Sequence, residues 1–338
     1  MRETHSARVG LGTRIGRLPH VVGLGLLTLL LLAAVSFAFP PFLEVDNVKS
    51  LLDDTALLIM LAVGEMFVLL TRSVDLSVAA NAALTGMVVA LFNAAHPGAG
   101  MLPVIVIAIV MGAVLGAFNG ILVWKLRIPS IVVTLGTLSA YRGLVYIVSG
   151  GAWVNSGQMS PMFLGLVRVP ILGVSVLSWI GFLVAVAAFL FLRFSVSGRN
   201  LYAAGNNPNA AAYAGIDVGR MQFLAFVLSG AIAGLAGYLW VARFAVAYTD
   251  VASGFELQVI AACVIGGVSI TGGVGGVVGV VLGGLFLGII KNALPVVGIS
   301  PFWQMAVSGL VITVAVVLNA GARRHEGRRI LEESEAGA

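Results

Sequence analysis

Long apolar runs separated by short polar breaks recur along the whole chain, with breaks at Pro40-Pro41, His96-Pro97-Gly98, Arg127-Ile128-Pro129 and Ser300-Pro301. Each run approaches the roughly 20 residues that a helix needs to cross a hydrocarbon core about 30 Å thick. The pattern predicts ten spans, at about 21–39, 53–71, 75–95, 102–123, 129–149, 171–192, 220–242, 255–271, 276–292 and 302–320. The expected fold is an all-α polytopic membrane protein with a tail over 1–20, a transmembrane domain over 21–320 and a tail over 321–338. The first run follows Arg14 and Arg17 and ends near Ser36-Phe37-Ala38, much as a cleavable signal peptide would. Its length, and Pro40-Pro41 close behind, favour an uncleaved first helix.

Composition agrees with this pattern. Of 338 residues, 59% are hydrophobic and 10% charged, against roughly 25% charged in a soluble domain. A formal charge of +5 could point to nucleic acid, but the basic residues stand at the ends of apolar runs and form no continuous patch. With the amino terminus in the cytoplasm, the inside segments hold Arg2, Arg8, Arg14, Arg17, Arg72, Lys125, Arg127, Arg193, Arg199, Arg220, Arg323, Arg324, Arg328 and Arg329. That is fourteen of the nineteen basic residues, so the excess of positive charge on cytoplasmic loops selects this orientation. Both termini are then cytoplasmic, as an even number of spans requires.

Glycines recur at close spacing in the fourth span (Gly112, Gly116, Gly120) and near the ninth (Gly275, Gly279, Gly283). A missing side chain lets helix backbones approach, so these faces are expected to be packing seams. Five spans apart, they also fit a possible inverted repeat; ordinary use of glycine in a crowded bundle fits equally.

Candidate chemistry is sparse. His5, His20, His96 and His325 lie in tails or loops and Cys263 is the only cysteine, so no metal-ligand spacing, disulfide or catalytic constellation is visible. An ionisable side chain at membrane depth costs about 2.5–3.5 kcal/mol on insertion scales and needs a partner, a wet path or the interface. Asp75 lies with Ser77 in the break Thr71-Arg72-Ser73-Val74-Asp75-Leu76-Ser77, where Arg72 is a possible partner; a local ion pair or a helix cap accounts for it as well. Arg142 either lines a polar passage or snorkels outward. Glu256 opens the eighth span, where a carboxylate suits a helix N-terminus. Asn119 and Thr134 can line a passage or simply bond between helices. These six residues are the candidate translocation path.

The longest inside loop, 193–220, contains a short alanine-rich helix expected to start at Pro208 and end at Gly215. Such a helix on the cytoplasmic face is suited to a groove in another protein, although a loop lying on the membrane surface is the plain alternative.

At this loop the sequence resembles the membrane permeases of ATP-binding-cassette importers. Their coupling segment has a glutamate, two alanines, three variable residues and a glycine; Asn209-Ala210-Ala211 through Gly215 reproduces it with Asn in place of Glu. The resemblance to the ribose and monosaccharide branch extends over about 50–320. It is carried by Thr71-Arg72-Ser73-Val74-Asp75-Leu76-Ser77-Val78, with Ala79 where the branch has glycine, and by Phe118-Asn119-Gly120 and Ile128-Pro129-Ser130 through Thr137. Gly198-Arg199-Asn200 through Pro208 and Ile260 through Gly267 complete the set. Within the branch the chain looks most similar to L-rhamnose permeases through 240–248 and 291–297, and also to autoinducer-2 permeases. The resemblance implies an inner-membrane subunit coupled through Gly198, Arg199, Asn209, Ala210, Ala211 and Gly215 to a separate ATPase subunit. It further implies a periplasmic sugar-binding protein and a second permease, either a copy or a related chain.

The chain itself has no Gly-x-x-x-x-Gly-Lys-Ser/Thr phrase, so ATP hydrolysis by that route is not its own task, and no cofactor is called for. Two rival classes are weighed against an importer subunit. An ion-coupled secondary transporter needs acidic residues near mid-membrane, and a membrane enzyme needs a nucleophile–base or metal constellation at depth.

Overall fold

The computed structural model describes residues 20–296 and, beyond them, Trp303, Ala306, Gly309 and Leu310. The tenth predicted span, apart from those four positions, and nearly all of both predicted tails lie outside the described residues. In chain order the helices are α1 (His20–Ala38), α2 (Val45–Leu70), α3 (Val78–Ala95), α4 (Met101–Leu126), α5 (Ser130–Ser149), α6 (Pro161–Gly165), α7 (Val176–Phe194), α8 (Val196–Asn206), α9 (Pro208–Tyr213), α10 (Val218–Phe244), α11 (Phe255–Ile265) and α12 (Val277–Val296). Four two-residue strands accompany them: β1 (Val154–Asn155), β2 (Pro170–Ile171), β3 (Val174–Ser175) and β4 (Val246–Ala247).

Among the described residues, seven helices are long and apolar enough to cross a membrane: α1, α3, α4, α5, α7, α10 and α12. The predicted second span is also a continuous helix, α2, but it begins earlier than expected and carries Asp46, Lys49, Asp53, Asp54 and Glu65. Its 26 residues extend about 39 Å at 1.5 Å per residue, longer than the hydrocarbon core. From Thr55 to Leu70 every side chain is buried, because α2 is surrounded by α3, α7, α10, α11 and α12. Protein rather than lipid is the solvent of this helix, which is why its charges are tolerated.

Two predicted spans need correction. The eighth, read as 255–271, is only the 11-residue helix α11, about 16 Å long and too short to cross alone. Gly266 ends it by packing backbone against α12, where a β-carbon would lie 2.7 Å from the Val280 nitrogen, and Gly267 follows at φ +86°. The sixth, read from 171, starts at Val176: residues 170–175 form the β2–β3 hairpin, and Ser175 caps α7 by accepting the Ser178 amide at 3.1 Å.

Both predicted glycine seams are present, on different partners. Gly112 and Gly116 of α4 meet Phe226, Gly230 and Gly234 of α10, and a β-carbon on Gly112 would sit 2.7 Å from the Gly234 Cα. Gly279 and Gly283 instead face Gly266 and Ala262 at the end of α11. Such close backbone approach is how helices gain van der Waals contact where lipid offers no hydrophobic drive. Towards the end of α10 that leads into β4, Phe163 of α6 and Tyr238 pack edge to face at 5.0 Å, both fully buried.

The bundle has two distinct ends. At one, Arg72, Lys125, Arg127, Arg193, Arg199 and Arg220 follow or open α2, α4, α7, α8 and α10. At the other, β1 pairs with β4 and the β2–β3 hairpin covers α7.

Candidate functional site

The break between α2 and α3 is not an exposed loop. Asp75 retains 1% of its surface and Ser77 none, so the backbone groups freed where α2 stops must be satisfied inside the protein. Glu65, one and a half turns back along α2, accepts the Asp75 amide at 3.0 Å. Ser130, at the start of α5, accepts the Val74 amide at 3.1 Å, and Thr134 Oγ1, which donates to Ser130 O at 2.9 Å, also lies 3.2 Å from Val74 O.

From there a chain of side chains crosses the bundle. Asp75 Oδ1 accepts both the Ser77 amide (2.9 Å) and the Ser77 hydroxyl (2.6 Å). Ser77 Oγ in turn accepts Asn119 Nδ2 at 2.8 Å, and the Tyr141 hydroxyl, donating to Leu115 O at 2.8 Å, stands 3.5 Å from Asn119 Oδ1. Residues from α2, the break, α4 and α5 are thus joined in one buried polar hub, in which each bond helps to satisfy the next. Of the six candidate path residues, Asp75, Ser77, Asn119 and Thr134 meet here.

Asp75 does not pair with Arg72 as the sequence allowed. Arg72 is in the left-handed region (φ +62°) and turns away, donating Nε to Gly205 O at 2.6 Å and Nη2 to Asn206 O at 2.9 Å. Nor does Asp75 cap α3 by a side-chain bond from outside the break: its acceptor role is spent within the break on Ser77.

Arg142 and Glu256 lie apart from the hub. Arg142 stands two turns beyond Thr134 on α5, about 12 Å along the axis, and donates Nη1 to Val251 O at 2.6 Å. It therefore ties α5 to the segment before α11 instead of snorkelling free. Glu256 is at the start of α11 but forms no side-chain cap; the cap position is Gly254, and Glu256 Oε2 is buried without a hydrogen-bond partner.

Sequence reasoning missed Glu65. It is fully buried, its Oε2 has no hydrogen-bond partner, and no ion pair reaches it among the described residues. The signal was available as a lone carboxylate in Ala62-Val63-Gly64-Glu65-Met66, since an intramembrane acid is a functional candidate by default. A second missed cluster occupies the other end, where Arg243 Nε lies 3.4 Å from Asp54 Oδ1 and 3.8 Å from Asp53 Oδ2, and Ser178 Oγ donates to Asp53 at 2.7 Å.

Next to the hub, at the basic end, opens a polar cavity of about 680 Å³ lined by Arg72, Ser73, Trp124, Arg127, Ser130, Asp217 and Gln222 among others. Its mixture of donors, acceptors and one indole suits a small polyhydroxylated molecule better than an apolar one.

The predicted loop helix is present between α8 and α10. Ser195 caps α8 by accepting the Gly198 amide (2.8 Å), and Asn207 caps α9 by accepting the Ala210 amide (3.1 Å) with Pro208 in the first turn. Gly215 follows α9 at φ +81°, as the predicted stop requires. Helix α8 was not foreseen; its Gly198 and Gly205 weaken any helical pattern but are the positions where it packs backbone to backbone. Gly198 is buried, whereas Arg199 is exposed and donates to Phe194 O at 3.3 Å. On α9, Asn209 and Ala210 are exposed, Ala211 is buried, and Tyr213, not singled out from sequence, is 94% exposed.

Comparison with known proteins places this architecture. The family model described as branched-chain amino acid transport system / permease component matches residues 47–316. The ribose import permease protein RbsC of Escherichia coli strain K12 is 36% identical over 295 residues, covering 86% of this chain and 91% of its own length. The autoinducer 2 import system permease protein LsrC of Salmonella paratyphi B is 35% identical over 303 residues, covering 88% and 86%. That of an Enterobacter species (strain 638) is 37% identical over 291 residues, covering 84% and 82%. No solved structure matches the chain. A family match over most of the length, relatives above one-third identity and a multi-pass helical bundle agree: the chain belongs to the family of branched-chain amino acid transport system permease components.

Proposed function

We propose that this chain is the transmembrane permease subunit of an ATP-driven bacterial importer that carries a monosaccharide across the inner membrane by alternating access. The observation that carries the proposal is α9: a capped helix whose Asn209, Ala210 and Tyr213 face outward at the basic end, with its buried side on the permease. A short exposed helix at the mouth of a bundle is a surface for a partner's groove, and membership of a family of transport-system permease components supports a separate ATPase subunit as that partner.

In this reading the basic end and both termini are cytoplasmic, which the positive-inside distribution supports. A periplasmic binding protein delivers sugar at the opposite end. A second permease, identical or related, completes the passage. ATPase closure moves α9, and the bundle exchanges outward-facing for inward-facing packing. Asp75, Ser77, Asn119 and Thr134 then act as the pivot of that exchange, Arg142 and Glu256 border the periplasmic entry, and the 680 Å³ cavity is the vestibule on the release side. Selectivity rests largely with the binding protein, since a passage that held sugar tightly would not release it.

Relatives named for ribose and autoinducer 2 favour a sugar of that class. L-Rhamnose is the second reading, favoured by the phrases at 240–248 and 291–297. Uptake of radiolabelled ribose, autoinducer 2 and L-rhamnose, in cells with the gene intact, deleted or carrying Gly215→Pro, tests both. Loss of one sugar's uptake in both altered strains, with the variant still in the membrane, is the expected result; uptake of all three unchanged by deletion contradicts the proposal.

A further inference from the structure

The break after α2 and the connection leading into α9 are fastened together more closely than two adjoining loops require. Arg72 donates to the carbonyls of both Gly205 and Asn206, the last two residues of α8 before the α9 cap Asn207. Gly205 lies so near the end of α2 that a β-carbon would strike Leu70 O, and Leu70 O also accepts the Gly273 amide at 3.0 Å. The stem of Arg72 rests on Gly272, and Tyr202 of α8 donates its hydroxyl to Gly275 O at 3.0 Å. Three residues beyond Arg72 along the chain stands Asp75, the centre of the buried hub.

We infer that Arg72 is the positioning residue that transmits displacement of α9 to the intramembrane hub, so that its two hydrogen bonds couple the ATPase-facing helix to the α2–α3 break. The inference rests on the proposed function and goes beyond it by assigning the transmitting contact. The geometry gives the direction. A planar guanidinium that engages two successive carbonyls fixes both position and angle of the α8–α9 connection. Its anchor, a left-handed backbone at residue 72, is itself held by amide bonds from Arg72 to Leu69 O and from Ser73 to Val68 O. A push on α9 therefore cannot be absorbed by side-chain rotation at Arg72 without losing both bonds. The same push has no comparable route to the break through Arg199, whose guanidinium, among the described residues, donates to Phe194 O at the end of α7.

The test uses the whole importer in proteoliposomes, with its ATPase, second permease and sugar-loaded binding protein, and measures sugar uptake and ATP hydrolysis together. For Arg72→Ala we expect hydrolysis to stay within about twofold of wild type while sugar moved per ATP falls about tenfold or more, the size of an ordinary coupling energy. Arg72→Lys, which keeps a donor but not the fork, falls between. An unchanged ratio overturns the inference, as does a parallel fall of hydrolysis and uptake. Recovery of the ratio when loaded binding protein is raised also overturns it, because it marks Arg72 as a passage contact in the cavity it borders. If the Ala variant does not reach the membrane, the Lys variant decides by the same criterion. A wild-type complex that hydrolyses ATP but moves none of the sugars overturns the proposed function itself, a result distinguishable from uncoupling in the variant alone.

Discussion

Glu65 sits in an apolar stretch of α2 with none of its surface exposed, and its Oε1 receives the Asp75 amide. Replacement by Gln keeps an oxygen at that place, whereas Leu leaves a buried N–H without an acceptor, which costs about 1–3 kcal/mol. Thermal unfolding of the purified protein is therefore expected to show Glu65→Gln close to wild type and Glu65→Leu clearly lower; equal midpoints for the two variants would mean the bond carries nothing. At this scale the sequence was legible in part. Asp75, Ser77, Asn119 and Thr134 were each marked as candidate path residues, but their convergence was not readable, because it depends on where α2 stops and on which helix faces supply Glu65 and Ser130. The Arg72–Asp75 pairing failed for a local reason: a positive φ at residue 72 turns the side chain toward α8.

Elements were the most legible level where apolar runs were long and interrupted by charge or proline. The ends of α4, α5 and α10 fall within a few residues of the predicted limits. Hydropathy misled where glycines continued an apolar run without continuing a helix, as after Ile265, and it passed over α8, whose helical state depends on packing of Gly198 and Gly205. The glycine seams give a sharp contrast between helices. Gly116 of α4 meets the backbone at Phe226 and Gly230, so that a side chain there must push α4 and α10 apart, whereas Gly136 of α5 has nothing within 4 Å. Gly116→Leu is expected to cost more than the about 1–3 kcal/mol of ordinary overpacking, seen as little folded protein in the membrane fraction, with Gly136→Leu accumulating normally. Comparable yields of both would remove the seam from the account.

For the molecule as a whole, the most charged helix of the described bundle is also deeply buried, and the reason is architectural: α3, α7, α10, α11 and α12 pack around α2 as an axis. One end of that axis carries Asp53 and Asp54 with Arg243; the other leads through Arg72 to α9. The arrangement connects a surface suited to a soluble partner with a polar hub inside the membrane, which an ATP-driven carrier needs and an ion-coupled one does not. Glu65 and Asp75 do give the ion-coupled rival a pair of adjoining buried acids that the sequence had not brought together. The two mechanisms differ in what powers uptake. The decisive measurement is sugar accumulation in proteoliposomes holding the permease, its ATPase and its binding protein, with either ATP or an imposed proton or sodium gradient as the only energy source. Accumulation with ATP alone, abolished by Gly215→Pro, is the predicted result; accumulation driven by an ion gradient without ATP would contradict the account.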